Sequence, residues 1–206
     1  MSCIILLDKY PLASDQVNRA ELGVILGELD QVLQRHPHGS VVEFGCYIGT
    51  TSLFIRRLLD QYGLPHEFHV YDSFEGLPEK SLQDQSPAGS QFIAGELSVS
   101  KKEFIQQFKR QNLKVPTIYK GWFAELGDID VPNNILFAFL DGDYYDSIAD
   151  SLRLITPKLV EGATIVIDDY SNLALPGARR AADEWTKNHG HSVRTQASLG
   201  IVHLNK

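Results

Sequence analysis

The stretch at residues 40–52, SVVEFGCYIGTTS, constrains the fold of this chain more than any other. Two β-branched residues lead into an acid, Glu43, and a turn with Gly45 and Gly49 follows before Thr50 begins an apolar helical pattern. A strand, a glycine turn and a helix in this order open a nucleotide-binding βαβ unit, because glycine admits a ligand to the backbone and a helix start presents free N–H groups. We therefore predict a ligand site at this turn. The alternative is a turn that only connects a strand to a helix.

The spacing of the glycines narrows the choice of ligand. The dinucleotide fingerprint Gly-x-Gly-x-x-Gly needs glycine where this chain has Tyr47 and Thr50. The carboxylate of Glu43 would repel a pyrophosphate, and it suits a ligand that carries an ammonium group, such as the methionine end of S-adenosylmethionine. The predicted cofactor contacts in this stretch are Glu43, Phe44, Gly45, Tyr47, Gly49 and Thr50.

Composition excludes several classes of protein. A chain of 206 residues that is 43% hydrophobic suits a single domain, 1–206, with a sizeable core. The net charge of −7 and the lack of a dense Lys/Arg block argue against a nucleic-acid partner. Two cysteines, Cys3 and Cys46, indicate a reducing compartment, and the short apolar run at 4–7 predicts neither a signal peptide nor a membrane span. We expect a cytoplasmic protein, in which Cys46 is a small space-filling residue.

The rest of the chain alternates between helical and strand-like patterns. Beyond the opening unit, helices are predicted at 17–34, 102–112, 147–159 and 176–188, and strands at 67–72, 115–120, 134–141, 163–169, 191–196 and 200–204. This alternation predicts an α/β fold with a doubly wound, mostly parallel, Rossmann-like sheet and an antiparallel C-terminal hairpin. Residues 1–39 would form an N-terminal helical segment.

Two further positions extend the predicted cofactor site. Asp72 ends the second strand, 27 positions after Gly45, where an acid commonly binds ribose hydroxyls, although an isolated strand-end Asp more often forms a turn. Ser73 follows it directly. After the third strand come Gly121 and Trp122, whose indole could stack on an adenine or belong to the core.

Residues 73–100 form a long connection rich in Gly, Pro, Ser and Gln. Connections of this length beside a nucleotide site are often lids or substrate-binding segments, so we predict a lid or acceptor loop. The alternative is a disordered surface insertion.

Carboxylates follow the ends of two buried strands. Asp141 ends one, and Asp168 and Asp169 end the next, at the edge of the sheet where ligands bind. Such crowding is unfavourable unless a cation neutralises it, and carboxylate oxygens suit Mg²⁺, with Mn²⁺ or Ca²⁺ as alternatives. Strand-end Asp residues can instead cap the following helices or form turns. We prefer that interpretation for Asp143 and Asp146, which lie at the start of a predicted helix.

The motifs EFGCYIGTTS, YDSFEGLP, GWF, LDGDYYDS and VIDDY, within residues 40–190, together resemble the macrocin O-methyltransferase family. The first resembles motif I of class I methyltransferases and the corresponding turn of catechol-type enzymes. The resemblance implies S-adenosylmethionine bound by Glu43, Gly45 and Asp72. It also implies a divalent metal held by Asp141, Asp168 and Asp169. The chain departs from the family in its short N-terminal part and in having no histidine at 80–100.

We therefore expect transfer of a methyl group to a hydroxyl of a small molecule, either a natural-product sugar or a related polyol or phenol. Asp141 and Asp143 are the predicted catalytic residues, and the acceptor is predicted to lie against the N-terminal segment, the 73–100 loop and residues 171–177. The sequence leaves open the identity of the acceptor and whether the chain forms a homodimer. The alternatives are a non-catalytic nucleotide- or metal-binding module and an NAD-dependent oxidoreductase.

Overall fold

The computed structural model describes residues 3–63, 65–88 and 92–204. In this part of the chain, seven strands form one sheet in the order β3-β2-β1-β4-β5-β7-β6. The strands are β1 (Ser40–Phe44), β2 (Glu67–Asp72), β3 (Thr117–Lys120), β4 (Ile135–Leu140), β5 (Leu159–Ile167), β6 (Arg194–Gln196) and β7 (Leu199–His203). The first five pair in parallel, whereas β7 runs antiparallel to β5 and to β6. The predicted doubly wound sheet with an antiparallel C-terminal hairpin is thereby confirmed.

Six α-helices lie among the described residues. They are α1 (Cys3–Lys9), α2 (Arg19–Arg35), α3 (Thr50–Tyr62), α4 (Lys101–Arg110), α5 (Tyr145–Ile155) and α6 (Pro176–His189). Three short 3-10 turns accompany them, at Leu82–Asp84, Phe123–Glu125 and Thr156–Lys158. None of these described helices combines the length and apolar composition that a bilayer crossing needs.

The helix predicted at 147–159 and the strand predicted at 163–169 are both displaced in the structure. Helix α5 begins two residues earlier and ends at Ile155, because Pro157 lacks an N–H and limits the chain to a 3-10 turn there. Strand β5 begins at Leu159 and ends before the two aspartates that follow it. Helix α1 lies in the part predicted as an N-terminal helical segment, but it was not predicted as a separate helix, since its sequence shows only a short apolar run.

Helices cover both faces of the sheet. On one face, residues of α2, α3 and α4 pack on side chains such as Val41 and Phe139, and on the other, α5 and α6 pack on side chains such as Val42 and Leu140. Strands β1 and β4 are therefore buried along their whole length, as expected of central parallel strands. Their carboxyl ends are the positions from which the candidate site is built.

A buried glutamate attaches the C-terminal hairpin to α2. Glu28 is 5% exposed, its Oε1 pairs with the Arg194 guanidinium at 2.5 Å, and its Oε2 lies 2.7 Å from His203 Nε2. Both partners are roughly half exposed, so solvent screens each contact on one side.

We expect Glu28→Ala to lower the free energy of unfolding by about 1–2 kcal/mol, less than for a fully buried pair because both partners reach water. Asp150→Asn, which removes the surface pair with Arg153 on α5, is the matched control and should change it by less than about 0.5 kcal/mol. Urea denaturation at pH 7 measures both. Equal effects would show that the buried position of Glu28 adds nothing.

Candidate functional site

A cavity of about 290 Å³ lies at the carboxyl ends of the central parallel strands. It brings together most of the residues predicted from the sequence. Its wall includes Gly45, Tyr47, Asp72, Ser73, Trp122, Asp141, Asp143, Asp168 and Asp169. Five predicted cofactor residues, Glu43, Phe44, Gly49, Thr50 and Gly121, are not part of this wall.

Backbone hydrogen bonds bring the strand ends to one level. The N–H of Gly45 donates to Tyr71 O at 2.8 Å, that of Asp141 to Phe44 O at 2.8 Å, and that of Asp168 to Leu140 O at 2.8 Å. The ladder therefore continues one residue beyond each strand. Gly45, Asp141 and Asp168 each follow directly on the end of a strand, so these three positions lie side by side above the same edge of the sheet.

The turn after β1 lies directly against the turn after β4. Gly45 has φ +85°, and a Cβ on it would lie 1.9 Å from the carbonyl oxygen of Asp141. Only glycine fits this approach without moving the backbone. The glycine predicted to admit a ligand thus also brings the predicted cofactor turn next to the first of the strand-end aspartates.

Asp72 organises the same turn from the other side. Its Oδ2 accepts hydrogen bonds from the backbone N–H groups of Cys46 at 2.8 Å and Tyr47 at 3.3 Å, and its Oδ1 accepts one from Phe74 at 2.7 Å. The sequence pattern predicted a contact with ribose for this carboxylate. The contact with ribose stays a prediction. The structure shows that Asp72 fixes the turn after β1, through the Cys46 and Tyr47 amides, to its own turn after β2, through the Phe74 amide.

Glu43 lies behind the cavity wall. Its side chain is 1% exposed, and the hydroxyl of Ser52 on α3 donates to its carboxylate. Burial raises the pKa of Glu43 to about 8, so the group is largely protonated at neutral pH. In this position the side chain links β1 to the first turn of α3.

Four aspartates line the side of the cavity above β4 and β5. Side-chain hydrogen bonds link Asp141 to Asp168 and Asp143 to Asp169, and Asn172 Nδ2 donates to Asp169 at 2.9 Å. Burial and the neighbouring charges raise the pKa of Asp141 and Asp143 well above the usual range and that of Asp168 to about 7. Among the described residues, no group of three or more His, Cys, Asp or Glu side chains is arranged so that it could hold a metal ion.

Asp143 does not cap α5, but it does lie in a turn, the other role that its position in the sequence allows, with the N–H of Tyr144 donating to Gly142 O at 2.6 Å. The residue before α5 is Tyr144, which makes no capping bond with its side chain. The N–H of Tyr145 donates instead to Asp84 Oδ1 at 2.7 Å, and Asp143, at φ +57°, faces the cavity. The cap comes from a residue 61 positions away, which no local pattern could reveal.

The structure adds residues to the site that the sequence did not single out. Asp15, Gln16 and Glu21 enter the wall from the segment before α2 and from its first turn, and Asn172 enters after β5. Glu21 belongs to a capping box with Asn18, a local signal that was readable. The sequence could not show that Glu21 lies in the cavity wall, because that depends on how α2 packs on the sheet.

The described parts of the 73–100 segment are bound to the rest of the protein. Tyr144 donates from its hydroxyl to Phe92 O at 2.8 Å, Ser86 Oγ donates to Leu173 O at 2.6 Å, and Arg180 donates to Gln83 O. The alternative of a disordered insertion is therefore wrong for residues 73–88 and 92–100. Whether the segment acts as a lid stays a prediction.

Comparisons with known proteins agree with this architecture. The model of the family Macrocin-O-methyltransferase (TylF) matches residues 7–196. A relative in Streptomyces olivaceus, named 8-demethyl-8-(2,3-dimethoxy-alpha-L-rhamnosyl)-tetracenomycin-C 4'-O-methyltransferase, is 29% identical over 170 residues, which are 80% of this chain and 64% of that protein. The chain thus spans less than two thirds of that relative's length.

Two solved structures share the fold. The O-methyltransferase NovP superposes with a TM-score of 0.78 at 22% identity, covering 90% of this chain and 79% of that one. The O-methyltransferase from Bacillus cereus, described as a complex with SAH, superposes with a TM-score of 0.61 at 13% identity, covering 99% and 89%.

We expect Gly45→Ala to lower the free energy of unfolding by about 2–4 kcal/mol, from the positive φ together with the clash against Asp141 O. Gly63→Ala is the matched control, since Gly63 has φ +62° and nothing within 4 Å of a built Cβ, and it should cost only about 1–2 kcal/mol. Denaturant titration compares the two. A cost no larger at Gly45 would mean that the two turns are not in close contact.

Glu43 should contribute a pH dependence of stability. Because its folded pKa of about 8 exceeds the ordinary 4.5, the native state holds one more proton between these values, and stability falls as the pH rises through that window. Glu43→Gln should therefore flatten the loss of stability between pH 5 and 8 in the metal-free protein. Thermal unfolding of both proteins across this range measures it, and parallel pH profiles would contradict the assignment.

Proposed function

Because the chain belongs to the macrocin O-methyltransferase family, we propose that it transfers the methyl group of S-adenosylmethionine to a hydroxyl of a small molecule. The observation that carries the proposal is the juxtaposition, in one cavity, of the glycine turn after β1 and the four aspartates after β4 and β5. The first suits a nucleotide-containing donor. The second suits an oxygen that must lose its proton.

The donor would occupy the turn between β1 and α3. Gly45, Tyr47, Asp72, Ser73 and Trp122 line the cavity and would contact it, with Asp72 near the ribose and Trp122 against the adenine. Glu43, Phe44, Gly49, Thr50 and Gly121 would shape that surface from behind the wall. A protein of the same fold is described in complex with SAH, which supports the choice of donor.

The aspartates have the oxygen ligands that a hard divalent cation prefers, although the described residues are not arranged as a metal site in the absence of the ion. Hydrogen bonds pair Asp141 with Asp168 and Asp143 with Asp169, and a bound cation would relieve the same crowding. Asp141, Asp168 and Asp169 would hold Mg²⁺, or Mn²⁺ or Ca²⁺. When bound, the ion would act as a Lewis acid that lowers the pKa of the acceptor hydroxyl.

The transfer itself requires alignment and removal of one proton. As the acceptor oxygen forms its bond to the methyl carbon, the bond from that carbon to sulfur breaks, and S-adenosylhomocysteine leaves as a neutral thioether. Asp143 would take the hydroxyl proton, since its carboxylate faces the cavity and does not cap α5. Burial and the charge of Asp169 raise the pKa of Asp143, so its ionised form, which a neighbouring cation would favour, is a stronger base than an exposed Asp.

The proposed acceptor is a hydroxylated small molecule. Sugar hydroxyls of natural products are the first choice, because the name of the Streptomyces olivaceus relative describes methylation of a rhamnosyl-tetracenomycin compound. Polyols and phenols with adjacent hydroxyls fit the same chemistry. A homodimeric assembly and a cytoplasmic location stay predictions.

The decisive measurement is S-adenosylhomocysteine formation from S-adenosylmethionine with catechol and methyl α-L-rhamnopyranoside, in Mg²⁺ and in excess EDTA. We expect Asp141→Asn and Asp168→Asn to lower kcat about 100-fold or more, while the Kd for S-adenosylhomocysteine changes by less than about threefold. Asp150→Asn, on the outer surface of α5, is the charge-matched control.

Two results would count against the proposal in different ways. Full activity of Asp141→Asn in EDTA would remove the metal from the reaction. Failure of the wild type to bind S-adenosylmethionine in calorimetry would remove the donor, and with it the function.

A further inference from the structure

The N-terminus of α5 is capped by a carboxylate from a distant part of the chain. Asp84, in the 3-10 turn Leu82–Asp84, is 1% exposed, and its Oδ1 accepts the N–H of Tyr145 at 2.7 Å. Tyr144, which occupies the capping position, supplies no such bond from its side chain. One of the free N–H groups at the start of this helix is thus satisfied by Asp84.

The position of Asp84 is closely determined. Its Oδ2 accepts hydrogen bonds from the N–H of Ser81 at 2.9 Å and from the Ser81 hydroxyl at 2.6 Å. A Cβ on Gly177, near the start of α6, would lie 1.8 Å from Oδ1. Asp84 therefore lies in a space that three segments of the chain enclose, and it reaches α5 in one orientation.

The bond from Tyr145 is one for which Asp143 could compete. An Asp side chain commonly accepts the backbone N–H two residues ahead of it in an Asx turn, and Tyr145 stands two residues after Asp143. If Asp143 took that hydrogen, its carboxylate would fold back on α5 and leave the cavity. Asp84 already holds that hydrogen, and Asp143 faces the cavity.

We propose that Asp84 is a positioning residue for methyl transfer: by holding the Tyr145 amide it keeps the Asp143 carboxylate available to the acceptor hydroxyl. This inference rests on the proposed function, and it assigns to the 73–100 segment a task beyond lining the cavity. The same segment contributes Phe92, whose carbonyl accepts the Tyr144 hydroxyl at 2.8 Å, so both tyrosines after Asp143 are held from one side.

A double-mutant cycle between Asp84 and Asp143 tests the coupling. Asp84→Ala should lower kcat about 10- to 100-fold, while the Kd for S-adenosylhomocysteine and the KM for S-adenosylmethionine change by less than about threefold. Asp84→Asn keeps the shape and one acceptor oxygen, so its kcat should fall less than that of Asp84→Ala. In an Asp143→Asn background, Asp84→Ala should cause little further loss, because the residue it positions is already disabled.

The control is Thr156→Val, at the opposite end of α5. The Thr156 hydroxyl donates to Leu152 O and accepts the Trp185 indole N–H at 2.9 Å, so its loss leaves a buried donor unpaired without touching the cavity. We expect a comparable fall in thermal stability with kcat within about twofold of the wild type. A similar loss of kcat in Thr156→Val would reduce the role of Asp84 to general stability.

A crystal structure of Asp84→Ala, or of Asp84→Leu if the first variant does not fold, gives a readout that needs no activity, because neither side chain can accept the Tyr145 N–H. We expect an Asp143 oxygen within hydrogen-bond distance of the Tyr145 N–H. Asp143 still facing the cavity, wild-type kcat in either variant, or independent effects in the cycle would each overturn the inference. Absence of methyl transfer in the wild type would instead reject the proposed function and leave the crystallographic test standing.

Discussion

The site depends on one close contact between backbones, that of Gly45 with the carbonyl oxygen of Asp141. It is possible because β1 and β4 pair in parallel and extend their ladder by one residue, so the two turns leave the sheet side by side. A side chain at position 45 would separate them. Since one turn suits a nucleotide and the other carries the strand-end aspartates, their spacing decides whether two ligands can meet.

Electrostatics above the sheet follow from the same crowding. Acidic side chains at the ends of β1, β2, β4 and β5 lie within one small region, and each is stabilised there in a different way. Glu43 is largely protonated at neutral pH and is bonded to Ser52, Asp72 accepts hydrogen bonds from three amides, and the four aspartates after β4 and β5 pair with one another. Only the last group keeps an unfavourable crowding of carboxyl groups, and this is where a bound cation would be stabilised.

Local patterns in the sequence predicted what depends on local structure. The glycine turn, the burial of β1 and β4, the antiparallel hairpin and the strand-end positions of Asp141, Asp168 and Asp169 follow from hydrophobic runs and from where they stop. Pro157 is a local signal for the end of α5 at Ile155, and the predicted helix at 147–159 wrongly continued past it.

The remaining features depend on contacts between distant residues. Glu43 stands in a motif that suggests contact with a ligand, but the helix start packed above it supplies Ser52 as its partner. The cap on α5 comes from Asp84, and the cavity wall includes Glu21 of α2, pairings across the fold that no periodicity encodes. For the same reason, the position of Asp143 just before α5 suggested a role at the helix start, whereas the packing of the chain places it in the cavity wall.

The three amides on Asp72 have a thermodynamic consequence. A loop that is already ordered loses little conformational entropy when a ligand arrives, so the free energy of its contacts goes largely into affinity. A ligand that binds at such a rigid turn does so with little conformational change in the protein. Its heat capacity change then reports the apolar area that the ligand itself covers, with little contribution from folding of the protein around it.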